Sequence, residues 1–283
     1  MESRTLYNGV EMPLTGYGTL LITDAARCER CVSEALEAGC RMIDTAAAYQ
    51  NEEAVGAAVS RSDIPRKELF ITTKLWVQDA GYDSALWAFD CSMKKLGLDY
   101  LDLYLIHQPF GDYYSAWRAM ERLYEEGAVR AIGVSNFTPE RLVDLCLNHP
   151  VRPMVNQIEI HPFYQQQEAL RVMEAYDVTP EGWGPLCEGQ KDIFHHKILV
   201  KIGKKYGKTP AQVILRWHLQ RNIPVIPRTV HKERMAENMD IRDFTLTGQE
   251  MEAIGTMDIG HSEIIDHHSF CTARQLNGLK IHP

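Results

Sequence analysis

Eight short apolar runs alternate with amphipathic, helix-like segments along this chain, and that alternation constrains the fold more than any other feature. The runs are residues 14–19, 41–45, 69–74, 101–107, 129–135, 154–160, 179–183 and 224–227. Between them, apolar residues recur at helical spacing, as Leu86, Phe89, Met93 and Leu96 do before Gly97 stops the segment. Thr138-Pro139 and Thr209-Pro210 each supply an N-cap followed by proline at the first helical position. Strand–helix alternation indicates a parallel sheet, because a parallel neighbour is reached only through a crossover, and eight such units suggest closure into a barrel. Residues 5–12 read as a hairpin turned by Asn8-Gly9, and residues 259–283 as a tail without clear period. The expected fold is therefore α/β: a (β/α)8 TIM barrel with an N-terminal β-hairpin and a C-terminal tail, forming one domain over residues 1–283.

The net charge of −8 argues against a nucleic-acid or anionic-membrane partner, either of which wants a basic face. Residues 1–13 lack the apolar core of a signal peptide and no run approaches a membrane span, so the expected location is cytoplasmic. Seven cysteines without regular spacing fit reduced thiols in a reducing compartment. Cys28 and Cys31 form a C-x-x-C with no second pair, and read as two small apolar residues on one helix face. No H-x-H or H-E-x-x-H pattern supports a metal site, and the adjacent pairs His195-His196 and His267-His268 do not make one.

In a (β/α)8 barrel, chemistry sits at the C-terminal ends of the strands. Three of the runs end in different ionisable groups: Asp44, Lys74 and His107. The later ends carry Ser135-Asn136, Gln157 with Glu159 and His161, Trp183 and Arg228. A carboxylate and an ammonium at an apolar barrel mouth are costly unless they pair, which suggests an Asp44–Lys74 ion pair. Tyr49 follows Asp44 by one short loop. A free tyrosine, with a pKa of about 10, is a poor acid at neutral pH, and a nearby ammonium is expected to lower that value. A neutral His107 would orient an incoming carbonyl. This is machinery for protonating an oxygen while a carbonyl carbon is reduced, with the hydride supplied by a cofactor. No G-x-G-x-x-G follows a strand, so a Rossmann site is absent. The start of the helix after the eighth run instead carries Arg228, Thr229, His231 and Arg234, and barrels often bind phosphate there. The cationic groups favour an extra phosphate, hence NADPH over NADH.

The chain resembles the aldo-keto reductases across nearly its full length, most closely the bacterial branch that includes 2,5-diketogluconate reductases. The matching segments are IDTAAAYQNE at 43–52, LFITTKLW at 69–76, LDLYLIHQP at 101–109, GVSNF at 133–137, VNQIEIHP at 155–162, WGPL at 183–186 and PVIPRTVHKERMAEN at 224–238. The resemblance implies Tyr49 as general acid, Lys74 and Asp44 as its tuners, and His107 as carbonyl orienter. It implies that Ser135, Asn136 and Gln157 hold a nicotinamide carboxamide and that Trp183 stacks on the ring. Gly18, Thr19, Leu20, Gly184 and Leu186 would lie near the cofactor. Arg228, Thr229 and Arg234 would take a 2′-phosphate, and Glu237 with Asn238 the adenine. It also implies a monomer.

Some positions depart from the family pattern. Arg228 stands where lysine is usual and Thr229 where serine is usual, so charge and hydroxyl survive. Cys187 replaces a common glycine beside the expected pyrophosphate, and Tyr17 and Gly182 are also less usual. The segment 108–114 after His107 is short, which suggests an open pocket and broad carbonyl substrates. Trp76, Phe110, Tyr113 and tail residues near Phe270 are the expected walls. A non-catalytic NADPH-binding protein on the same barrel is the alternative, since fold alone does not give activity. A metal-dependent hydrolase is the second alternative, disfavoured by the lack of a ligand cluster.

Overall fold

A computed structural model describes residues 2–283. The chain opens with antiparallel strands β1 (Ser3–Thr5) and β2 (Glu11–Pro13), joined by a five-residue loop rather than a two-residue turn at Asn8-Gly9. The Leu6 amide donates to the Val10 carbonyl at 2.8 Å, and Gly9 takes a left-handed φ of 86°. Leu6 and Met12 are buried, while the Tyr7 hydroxyl reaches the Arg152 carbonyl and Asn8 the Arg130 carbonyl. Arg130 and Arg152 precede later strands, so the hairpin plugs the end of the barrel opposite the ionisable strand ends.

Seven parallel strands follow in sequential order: β3 (Tyr17–Gly18), β4 (Met42–Asp44), β5 (Phe70–Leu75), β6 (Leu103–Ile106), β7 (Ile132–Ser135), β8 (Val155–Glu159) and β9 (Thr179–Trp183). The expected eighth strand, 224–227, is reduced to bridge pairing. Val225 pairs in parallel with Thr15 on one side and with Gly182 on the other, which joins the two edges and closes the barrel. Pro224 and Pro227 flank it and lack N–H donors, so no longer ladder forms there. The strands are buried on both faces, as a sheet covered by helices requires.

The covering helices are α1 (Ala25–Glu37), α2 (Glu52–Arg61), α3 (Tyr82–Leu96), α4 (Tyr113–Glu125), α5 (Pro139–Asn148), α6 (Gln167–Ala175), α7 (Lys197–Tyr206), α8 (Pro210–Gln220), α9 (Lys232–Met239) and α10 (Gly248–Gly255). Asp24 caps α1 by accepting from the Arg27 amide, and Thr209 with Gln212 forms a reciprocal capping box on α8. Cys28 and Cys31 both lie on the buried face of α1. Among the described residues no helix is long and apolar enough to cross a membrane.

The tail is more structured than its sequence suggests. It forms α11 (Phe270–Gly278), capped by Ser269, then straps across the segment after β5. The Trp76 indole donates to the Leu279 carbonyl at 2.8 Å, Ile281 N to Gln78 Oε1 at 2.9 Å, and His282 Nε2 lies 3.0 Å from Asp79 Oδ1. No residue of α11 is fully buried, and its inward contacts are made by the partly buried Ala273 and Leu276, which is too narrow a stripe for periodicity to reveal.

Helices α2 and α3 approach closely at Gly56. A Cβ there would stand 2.3 Å from the Leu96 carbonyl oxygen, a backbone atom that cannot step aside. Gly56→Ala is expected to cost about 1–3 kcal/mol through overpacking. Calorimetry should show a thermal midpoint several degrees lower; an unchanged midpoint would mean that the two helices separate without penalty.

Candidate active site

Strand register assembles the ionisable groups. In the β4–β5 ladder Asp44 pairs with Thr72, so Lys74, two residues further on, shares the inward face at the same end. Lys74 is 0% exposed and Asp44 1%. The ammonium donates to Asp44 Oδ1 at 2.5 Å, to the Thr45 carbonyl at 2.9 Å and to the Tyr49 hydroxyl at 3.4 Å. Tyr49 itself is carried on a short 3-10 turn, Ala47–Tyr49, directly after β4. His107 follows β6 and makes edge contacts with the Tyr49 ring at 5.5 Å and the Trp76 ring at 5.2 Å. All four expected groups are therefore together.

Their electrostatics differ from the expectation in one respect. Burial alone would discharge Lys74, but Asp44 and Tyr49 overcome it and hold the ammonium above its ordinary value. Tyr49 is pushed up, not down. Burial is the largest influence; the pull of Lys74 comes second, and Asp44 and Glu181 add to the upward push. Tyr49 thus keeps its proton at neutral pH. His107 is driven well below its ordinary value, first by burial and then by Lys74 and His267, so its ring is neutral. Its Nδ1 has no partner among the described residues.

A cleft of about 890 Å³ runs from this cluster across the barrel mouth. Asp44, Tyr49 and His107 line it, with Lys74 behind them. Ser135, Asn136, Gln157 and Trp183 form the next stretch of wall. Asn136 adopts a left-handed φ of 63° at the end of β7; its Nδ2 donates to the His107 carbonyl at 3.0 Å and its Oδ1 accepts from the Trp183 indole at 2.8 Å. Gly18, Leu20, Gly184 and Leu186 also line the cleft, as do Arg228 and Thr229 at the end of the closing strand and Arg234, Glu237 and Asn238 on α9. Arg228 and Arg234 are exposed and make no ion pair among the described residues. Tyr17, whose role was not apparent from sequence, donates its hydroxyl to the Thr229 carbonyl at 2.6 Å and so anchors that end.

Three expected site residues lie elsewhere. Thr19 is buried below the cleft, donating to the Asp44 carbonyl. Phe110 packs with Trp76 and Val77 beneath Ala273, Leu276 and Ile281 of the tail. Tyr113 stacks on Tyr114 at 5.0 Å and meets Phe137 edge-on. The wall beside Trp76 is made instead by Gln108, Ile264, Ile265, His267 and Leu279. His267 Nε2 stands 3.1 Å from Gln108 Oε1, and burial and His268 push its imidazole down to about 4. Glu159 and His161 pair with each other at 2.9 Å, and Glu159 ties down Ser262 of the tail at 2.6 Å. Nothing in the local pattern marks the tail residues, because their place depends on how the strap docks.

The sequence profile of the Aldo/keto reductase family matches residues 16–259. The chain belongs to this family. It is 44% identical over 254 residues to a glyoxal reductase of Bacillus subtilis, covering 89% of this chain and 91% of that protein. It is likewise 44% identical over 258 residues to a methylglyoxal reductase of Yersinia pestis, covering 90% and 92%. The crystal structure of a Bombyx mori aldo-keto reductase in complex with NADP superposes with a TM-score of 0.89 at 34% identity, covering 94% of this chain and 95% of that one. The segment after residue 259, which walls the cleft beside Trp76, lies outside the family match.

For this aldo-keto reductase the charge states set a pH profile. If Tyr49 gives the proton and His107 orients the carbonyl, the competent form has Tyr49 protonated and His107 neutral. Tyr49 is raised, so activity should be lost only as pH climbs above the ordinary tyrosine range; His107 is lowered, so loss on acidification should begin well below its ordinary value. A plateau of kcat between pH 6 and 8 is the expected result. A break within that interval, abolished in Tyr49→Phe or His107→Gln, would contradict these assignments.

Proposed function

We propose that this enzyme reduces small aldehydes, ketones and α-dicarbonyls to alcohols at the expense of NADPH, with Asp44, Tyr49, Lys74 and His107 as its catalytic set. The single observation that carries this reading is the Lys74 ammonium bridging a buried carboxylate and a phenol beside a cleft whose lining also holds two unpaired arginines. The residues present fit the dinucleotide. The exposed, unpaired Arg228 and Arg234 with Thr229 suit a 2′-phosphate, and the Trp183 indole offers a flat face beside amide groups. Gln157 Oε1 has no protein partner among the described residues although the side chain lines the cleft, as an acceptor waiting for a carboxamide N–H would. The family relatives named for glyoxal and methylglyoxal, and the relative bound to NADP, support the same substrate class and cofactor. The whole chain, residues 1–283, acts in this reading as one domain with its tail as part of the substrate wall.

When bound, NADPH supplies the hydride that adds to the carbonyl carbon. The protein's own work is at the oxygen. Neutral His107 hydrogen-bonds the carbonyl oxygen and orients it toward Tyr49. As charge develops there, the Tyr49 O–H gives up its proton, and Lys74 stabilises the phenolate left behind. Asp44 keeps Lys74 charged and aimed. The alcohol leaves, and the phenol regains its proton from solvent.

The test is NADPH oxidation followed by absorbance, with glyoxal, methylglyoxal, simple aldehydes and keto-sugars. Tyr49→Phe is expected to lower kcat by about 10²–10⁴-fold while the Kd for NADPH stays within a factor of a few. Turnover that survives the substitution would remove Tyr49 as the acid. Lack of turnover in the parent enzyme, with NADPH still bound, would favour a non-catalytic binding protein. Replacing Arg228 and Arg234 together by methionine should weaken NADPH by at least about tenfold and NADH little. Equal losses for both cofactors would place the arginines away from the 2′-phosphate.

A further inference from the structure

Behind the cleft wall lies a carboxyl group that the mechanism above does not use. Glu181 sits on β9 in register with Gln157 on β8, and is 0% exposed. Gly182, its neighbour, faces His218 and Ile160 on the helix side of the sheet, so Glu181 points inward, on the same face as Trp183 two residues on. It is not part of the cleft surface. Its Oε2 accepts a hydrogen bond from Gln157 Nε2 at 2.8 Å, and the same nitrogen donates to Asp44 Oδ2 at 2.9 Å. A primary amide has two N–H donors. Both are therefore spent on carboxyl groups, and the Gln157 oxygen is the one atom of that amide left to face the cleft.

Two divergent hydrogen bonds from one nitrogen fix the plane of an amide; a single bond leaves it free to swing about the donor axis. We propose that Glu181 is a positioning residue, which together with Asp44 locks the Gln157 amide so that its oxygen, and not its nitrogen, is presented to the nicotinamide carboxamide. The inference rests on the reading of Gln157 as the residue that faces that carboxamide. Burial, followed by the repulsion of Asp44, pushes the Glu181 carboxyl up to about 8, so near neutral pH it acts as an acceptor without adding a second buried negative charge beside Asp44. Its other oxygen, Oε1, is buried without a partner among the described residues. The arrangement also links the proton-transfer cluster to the cofactor wall, because Asp44 holds Lys74 through Oδ1 and Gln157 through Oδ2.

The test compares binding of NADPH with binding of its 3-acetylpyridine analogue, in which a methyl ketone replaces the carboxamide and the N–H donor is gone. Titration calorimetry of the full-length protein reads the ratio of the two Kd values without turnover. The unmodified protein should favour NADPH by at least about tenfold. Glu181→Leu should cut that ratio at least about threefold, because a swinging Gln157 accepts the carboxamide less well. Glu181→Gln, which keeps an acceptor oxygen toward Gln157, should restore it. Because an apolar side chain at 181 leaves one buried Gln157 N–H without its acceptor, Glu181→Met serves as a second apolar variant, and a cooperative thermal melt of each confirms that it folds. An unchanged ratio in both apolar variants would overturn the proposal. Gln157→Leu separates the two levels of inference. If it abolishes the preference while Glu181→Leu and Glu181→Met do not, Gln157 keeps its role and Glu181 loses its own; if the preference survives Gln157→Leu, both fall.

Discussion

The buried ammonium of Lys74 is the interaction on which the site depends. Removing a lysine and an aspartate from water costs several kcal/mol per ion, and only good geometry with every donor satisfied offsets it. Here the three ammonium hydrogens are matched by three acceptors, Asp44 Oδ1, the Thr45 carbonyl and the Tyr49 hydroxyl. One of the three is the proposed acid. Stability of the barrel mouth and competence for proton transfer are thus properties of the same contacts. The β4–β5 register makes this possible, since a slip by one residue would turn Lys74 out of the barrel and leave Asp44 buried and unpaired.

The balance of charge around Tyr49 follows from the same crowding. An ammonium alone would favour the phenolate, yet burial, with the Asp44 carboxylate close by, keeps the phenol protonated. That suits a group whose task is to hold a proton until an oxygen beside it becomes negative. In the proposed mechanism Lys74 acts chiefly on the product of the transfer, the phenolate, whose charge it meets at hydrogen-bond distance. The neutral ring of His107 adds no positive charge beside Tyr49, while the free cations, Arg228 and Arg234, enter the cleft lining from the closing strand and α9.

The features legible in the sequence are those set by local chemistry. Strand ends announce themselves through apolar runs closing on Asp44, Lys74 and His107, and the alternation with helices specifies a barrel. The arginines at the start of α9 were equally plain. Harder to read were contacts made by chain segments distant in sequence. The closing strand shrank to Val225 because two prolines bracket it, and α11 left little apolar periodicity because it packs inward through the partly buried Ala273 and Leu276. Phe110 and Tyr113 were expected at the pocket from their nearness to His107, but the strap over Trp76 captured the first and the α4–α5 side the second. Glu181 carries no local signal of its position. Only the pairing of β8 with β9 places it against Gln157.

That strap also divides the molecule's tasks. Its anchors are Trp76, Gln78 and Asp79, which directly follow the strand that carries Lys74, so the tail is hung from the same element as the proton machinery. What it brings to the cleft, however, is separate from that machinery: an imidazole at His267 held neutral beside Gln108, and the apolar Ile264, Ile265 and Leu279. The wall opposite, from Ser135 to Asn238, comes from the barrel core that the family match covers. Residues 260–283 therefore shape a stretch of the cleft wall without supplying any of Asp44, Tyr49, Lys74 and His107. A short loop after His107 does not by itself make an open pocket, because in this chain the strap supplies the wall that the loop omits.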